Sequence, residues 1–214
     1  MKVELLSASP LQQLVEALKG RNIQVPLETL LPHVSFTFAV ERISRACSHQ
    51  LVRHRVASYS QQSQRFVEVR VLDKNIVVPP TISAQESAFI RLWGLTLETQ
   101  KAYRDLVSFG VPLEDARFVL PNATETHLLV TMDGQALLHF FGLRCCNRAQ
   151  WEIQLLTDNM LREVLKVEPE LFKKAGPYCY QRGRCEEGRF SCGRMEEVKV
   201  KYDQMRSDLQ KDVP

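Results

Sequence analysis

The chain has 214 residues, 44% of them hydrophobic and 25% charged, with a formal net charge of +3 and a pI near 8.5. That length supports one sizeable core, or a core with a small appendage. The mild positive balance argues against a nucleic-acid coat, which clusters Lys and Arg at a higher pI. No apolar run approaches the ~20 residues of a membrane helix, and the start of the chain shows no secretory leader. The six Cys include the adjacent pair Cys145-Cys146, a poor disulfide framework in a chain this size. Reduced thiols and a cytoplasmic location are therefore expected.

Taken in order, Val3-Glu4-Leu5-Leu6 reads as a short strand and Leu11 to Leu18 as a helix stopped at Gly20. Val34 to Val40 alternates with period two, the mark of a half-buried strand. Ile43, Cys47 and Leu51 recur at helical spacing, so Ser44 to Arg55 reads as a helix whose last turn carries the cations. Ser58 to Arg65 reads as a polar loop and Phe66 to Val71 as the next strand. After Pro79-Pro80, the spacing predicts a long helix from Ser83 to Phe109, ended at Gly110. Pro112 suits the first turn of a further helix through Phe118. A strand over Thr126 to Met132, a turn at Asp133-Gly134, and helices over Gln135 to Leu143 and Ala149 to Leu165 follow. Cys179 to Cys192 reads as a loop, and Met195 to Pro214 as a charged surface helix or tail. Strands alternating irregularly with long helices predict a mixed α/β (α+β) single domain over 1–214.

One stretch carries chemistry: Arg53-His54-Arg55-Val-Ala-Ser-Tyr-Ser-Gln-Gln-Ser63-Gln-Arg65. Guanidinium groups stay charged and grip phosphates or paired carbonyls bidentately. Three of them, with a His, Ser hydroxyls and a run of Gln amides, suit a ligand that is both anionic and polar along its edge, such as a nucleotide. Arg117 and Arg144 read alone would be ordinary ion-pair residues, and His139 a core His. Cys179, Cys185 and Cys192 invite a metal, but structural zinc wants four ligands in tighter pairs. Free loop thiols and no metal are the expectation.

The stretch resembles the signature of the flavin-dependent thymidylate synthases: Arg-His-Arg, seven residues, then Ser63. The flanks agree in His49-Gln50, Leu120-Pro-Asn-Ala-Thr-Glu-Thr126 and Ala149-Gln-Trp-Glu152. The resemblance runs from about His33 to Lys166. It implies a central, mostly antiparallel sheet flanked by long helices, in homotetramers whose sites are shared between chains. It implies conversion of dUMP to dTMP, with methylenetetrahydrofolate as carbon donor and NADPH supplying hydride through FAD. Gln50, Arg53, Gln61, Gln62, Ser63, Gln64, Arg65, Arg117 and Arg144 are then the residues expected around dUMP. Arg53, His54, Arg55, Gln61, Asp133, Gln135 and His139 are those expected to face FAD. Catalytic roles fall to Arg144, which stabilises the ionised uracil, and to Ser63, which with Arg65 holds the phosphate. None of the six Cys lies in this stretch, so thiolate catalysis is not expected.

Departures from the family pattern fall on the flavin side. Only about thirty residues precede Val34, so an N-terminal helical stretch reaching FAD is expected to be missing. Leu27 and Pro32 replace a His and a Glu, Asp133 stands where Asn is usual, and Gln135 where Arg is frequent. A carboxylate facing a diphosphate would weaken FAD binding. Two alternatives follow: a dUMP-binding relative without flavin or catalysis, and a UMP C5-methylating enzyme.

Overall fold

The structure, a computed structural model, describes residues 1–211. Strands β1 (Lys2–Ala8), β2 (Ser35–Ser44), β3 (Ser58–Gln61) and β4 (Glu125–Asp133) form an antiparallel sheet in the order β1-β2-β4-β3. The helices are α1 (Leu11–Lys19), α2 (Arg45–Leu51), α3 (Pro80–Ser83), α4 (Glu86–Ser108), α5 (Leu113–Ala116), α6 (Gly134–Arg144), α7 (Trp151–Val167), α8 (Tyr178–Arg182) and α9 (Met195–Lys211). This is the mixed α+β class. The described chain falls into two compact units. Met1, Val40–Arg53 and Ser60–Leu128 make the first, and the rest of the described chain the second.

In the first unit, α2 is shorter than its apolar spacing implied. Ser44 is the N-cap, its hydroxyl accepting from Cys47 N at 2.9 Å, and such caps fix where a helix begins. Ile43, which fits the helical spacing, is a buried residue of β2. At the other end Val52 N–H closes on Ser48 O, so Arg53, His54 and Arg55 follow the helix rather than completing its last turn. The polar segment from Ser58 also differs from expectation. Ser58–Gln61 pairs into the sheet as β3, leaving Gln62 to Arg65 as loop.

Phe66 to Val71 alternates as a strand does, yet forms none. Side chains of α4 take its backbone groups instead. Gln100 Nε2 donates to Arg70 O at 2.8 Å while its Oε1 accepts from Leu72 N at 2.9 Å, and Arg104 donates to Arg70 O at 3.0 Å. Phe66 is left 77% exposed. The long helix expected from Ser83 breaks at Ala84-Gln85 into α3 and α4, and α5 ends in a 3-10 turn at Arg117–Val119.

In the second unit Phe36, Phe38, Phe140, Phe141 and Phe172 are fully buried with the apolar face of α7. Asp133-Gly134 is no free turn: Asp133 caps α6, and Gly134 is its first residue. A Cβ at Gly134 would meet Leu31 O at 2.8 Å, so only glycine lets that helix start so close to the backbone of Leu31. The expected Cys179–Cys192 loop contains α8 and a 3-10 turn at Gly188–Phe190. Helix α9 is more than a surface tail. It buries Val198, Tyr202 and Met205, and Tyr202 donates to Asp158 Oδ1 at 2.7 Å and Cys145 O at 3.0 Å. The last three residues of the expected tail, 212–214, lie outside the described residues.

Candidate active site

The first unit gathers most of the expected dUMP residues. Gln62 N donates to His127 O at 3.0 Å, which hangs the Gln62–Arg65 loop from β4. Gln62, Ser63 and Gln64 line one cavity of about 230 Å³ with Asn75, Thr126 and His127. Within that loop, Gln64 Nε2 is buried and has no hydrogen-bond partner among the described residues. A buried amide donor without an acceptor costs about 1–3 kcal/mol, and an oxygen-rich ligand in the cavity would remove that cost. Ser63 Oγ accepts from Arg65 N at 3.1 Å, which leaves its own proton to donate.

Arg65 lies at the end of the loop, forked onto Glu114 with Nε at 2.7 Å and a terminal nitrogen at 2.6 Å. Both partners are about half exposed, so the pair is weak. Arg117 Nε donates to Glu114 O at 3.0 Å. Beside Arg117 stands Arg45, whose pKa is lowered by burial and then by the Arg117 charge. Two guanidinium groups repelling one another make a place for an anion. Sequence reading missed Arg45; its position directly after a capping Ser44 was the available signal.

Gln50 is half-buried on α2 and Arg53 exposed beyond it. The Gln61 amide turns inward, donating to Ser48 Oγ and Thr126 Oγ1, both at 3.1 Å. It braces β3 and holds the loop from below.

The second unit gathers Arg144 and most of the expected flavin residues. Arg144 closes the last turn of α6, where the helix dipole favours a cation. Its Nε donates to His54 Nε2 at 2.9 Å. Among the described residues its two terminal nitrogens have no partner, so the planar end of the guanidinium is available to a ligand. His54 must accept through Nε2 and therefore carries its proton on Nδ1. Its ring meets Phe140 edge-on at 4.7 Å, and Tyr59 OH donates to its carbonyl at 2.9 Å. Burial first, then the charges of Arg144 and His139, bring the His54 pKa down from 6.5 to about 4. His54 is thus a neutral orienter of Arg144, not one of the cations its place in the motif suggested.

A pH dependence follows. The unfolded chain protonates His54 below about 6.5 and the folded chain only near 4, so stability is undiminished above 6.5 and falls as pH drops toward 4, chiefly because a buried ring must then be charged. The melting temperature is expected to drop across that window, and His54→Gln, which keeps an acceptor but cannot titrate, should flatten the drop. An NMR titration placing the His54 midpoint near 6.5 would contradict this.

His139, exposed on α6, shares a hydrogen bond with Tyr178 OH, and the Tyr178 ring carries the Arg182 guanidinium 4.0 Å from its centroid. Arg55 and Gln135 are exposed. Asp133 points its carboxylate at its own helix, accepting from Ala136 N at 2.7 Å.

With this geometry in view, relatives can be compared. The family model for the thymidylate synthase complementing protein matches residues 7–170. A protein of Geobacter sulfurreducens called flavin-dependent thymidylate synthase is 51% identical over 202 residues, covering 94% of this chain and 85% of the relative. The chain belongs to the thymidylate synthase complementing protein family.

Two solved structures share the family's fold. Thymidylate synthase X from Helicobacter pylori, with FAD and dUMP, superposes with a TM-score of 0.60 at 20% identity, covering 82% of this chain and 99% of the other. The UMP/dUMP methylase PolB of Streptomyces cacaoi, bound with 5-Br dUMP, gives 0.65 at 22% identity, covering 82% and 95%. Arg117 Nε donates to a backbone carbonyl and Arg144 Nε to a ring nitrogen, and neither guanidinium has a carboxylate partner among the described residues.

The donor set also fits an anionic flavin cofactor. Arg53 and Arg55 are exposed guanidinium groups, Gln135 is an exposed amide at the start of α6, and the Asp133 carboxylate is engaged in capping its own helix.

Proposed function

We propose that the protein is a flavin-dependent thymidylate synthase, converting dUMP to dTMP with methylenetetrahydrofolate as carbon donor and NADPH as reductant. The observation that carries the reading is 51% identity, across nearly the whole chain, to a relative of that name. Carbon 5 of uracil is a weak nucleophile. It attacks a one-carbon donor only when negative charge on the ring is stabilised. Arg144, held by His54 with its terminal nitrogens outward, offers a preoriented cation for that charge, worth roughly 3 kcal/mol. Ser63 donates its hydroxyl proton and Arg65 its guanidinium to the phosphate. Gln62 and Gln64 supply amides along the nucleotide edge. FAD, when bound, supplies the hydride that completes the methyl group; Arg53, Arg55, Gln135 and His139 are the residues that would hold it.

The same reading assigns a cytoplasmic homotetramer with sites shared between chains. No helix among the described residues is long and apolar enough to cross a membrane. Helix α4 leaves Ile90 and Leu97, two turns apart on one face, exposed, apolar surface of the kind that subunits cover.

The test is a purified protein assayed with dUMP, methylenetetrahydrofolate and NADPH. A yellow protein that forms dTMP and turns over UMP poorly is the expected result. A colourless protein that takes up no FAD but binds dUMP would overturn it, and a preference for UMP would assign the C5-methylating alternative.

A further inference from the structure

The sequence presented three cysteines without a fourth partner; the fold brings one. Cys146 follows α6 at its junction with α7, Cys179 lies in α8, and Cys185 and Cys192 lie in the segment before α9. All four line a single cavity of about 30 Å³, room for one ion or water but not for a cluster. Cys179 is within electrostatic reach of the other three, and Cys146 of Cys185 and Cys192.

Amide donors reach two of the four sulfurs. Arg148 N donates to Cys146 Sγ at 3.5 Å and Asn147 Nδ2 to Cys192 Sγ at 3.9 Å. The backbone N–H of Arg194 also reaches Cys192. Amides aimed at sulfur from two residues further on, at both Cys146 and Cys192, are the outer contacts that orient metal-bound thiolates. Gly193, at φ +69°, provides the turn that aims Arg194 N–H backward.

The segment also needs a staple. From Arg182 to Ser191 every residue is exposed, and Phe190, its one large apolar side chain, is 55% exposed. A metal link is one means of tying down a stretch that has no core of its own.

We propose that Cys146, Cys179, Cys185 and Cys192 form a structural tetrathiolate site for one zinc(II) ion. Soft sulfur ligands select zinc over magnesium or calcium. Binding converts four thiols and Zn²⁺ to a dianionic Zn(SR)₄ unit and releases four protons, with no change of oxidation state. Among the described residues no three such ligands already face one point in coordinating geometry, so the thiols, and the exposed segment that carries Cys185, move together on binding. The site ties the C-terminal segment to the residues just after Arg144, and so fixes the end of α6.

The full-length protein, purified with reductant and without chelator, is to be analysed by elemental mass spectrometry and titrated with cobalt(II) after metal removal. About one zinc per chain is expected, with sulfur-to-cobalt charge-transfer bands on substitution. Cys192→Ser, at a side chain outside the core, should weaken zinc binding at least about 100-fold. Cobalt spectra of the unmutated chain decide the matter even if that variant folds poorly. Absence of zinc together with cobalt bands lacking sulfur character would overturn the proposal. So would an unreduced mass showing these cysteines joined as disulfides.

Discussion

Arg144→Ala is expected to lower kcat/KM for dUMP about 100- to 1000-fold, as removal of one preorganised donor at a developing anion does. The loss should fall mainly on kcat, because the charge it meets is fully developed only when the uracil ring ionises. Arg144 is half-buried and, among the described residues, hydrogen-bonded only through Nε to His54, so the substitution removes a cation without opening the core, and the melting temperature should hardly move. Arg144→Lys should recover little. An ammonium cannot donate to His54 and present a planar pair of donors at once. Full activity in Arg144→Ala would remove the proposed role.

Phe172→Ala is expected to destabilise the fold by about 3–5 kcal/mol, a large part of the 5–15 kcal/mol typical of a whole domain. Phe172 is fully buried. It meets Phe36 edge-on at 5.3 Å and Phe141 at 6.0 Å, pinning β2 and α6 from the segment after α7. Truncation leaves a cavity between rigid neighbours that collapse poorly. Urea unfolding should show a lower midpoint with unchanged slope. Phe141 precedes Arg144 by one helical turn, so activity should fall at temperatures where the variant is still mostly folded. A midpoint within 1 kcal/mol of the parent, on the order of a conservative swap, would mean the aromatic triad is not the anchor.

The elements that periodicity made legible are those whose partners lie along their own length. Strands β2 and β4 alternate because one sheet face is buried, and α7 carries its apolar stripe over four turns. Where sequence reading failed, distant side chains took over backbone groups. Gln100 and Arg104 capture the segment from Phe66 to Val71, which has every local mark of a strand. Ile43, Cys47 and Leu51 share a helical spacing by coincidence, for the first belongs to a strand. The nucleotide stretch was legible because its donor types have few other uses in such density. Arg45 beside Arg117, Glu114 on Arg65 and Cys146 among the later cysteines were not, because each pairing closes over a long loop and leaves no short-range pattern.

The capping of α6 bears on how position 133 is to be understood across relatives. Asn and Asp are about equally good at receiving the first free amides of a helix, so exchange between them leaves α6 intact. A negative charge there is also welcome to the positive end of the helix. What looks from the cofactor's side like the loss of a contact is, from the helix's side, a neutral swap. An Asp133→Asn exchange is therefore expected to leave the helix, and with it the stability of the fold, nearly unchanged.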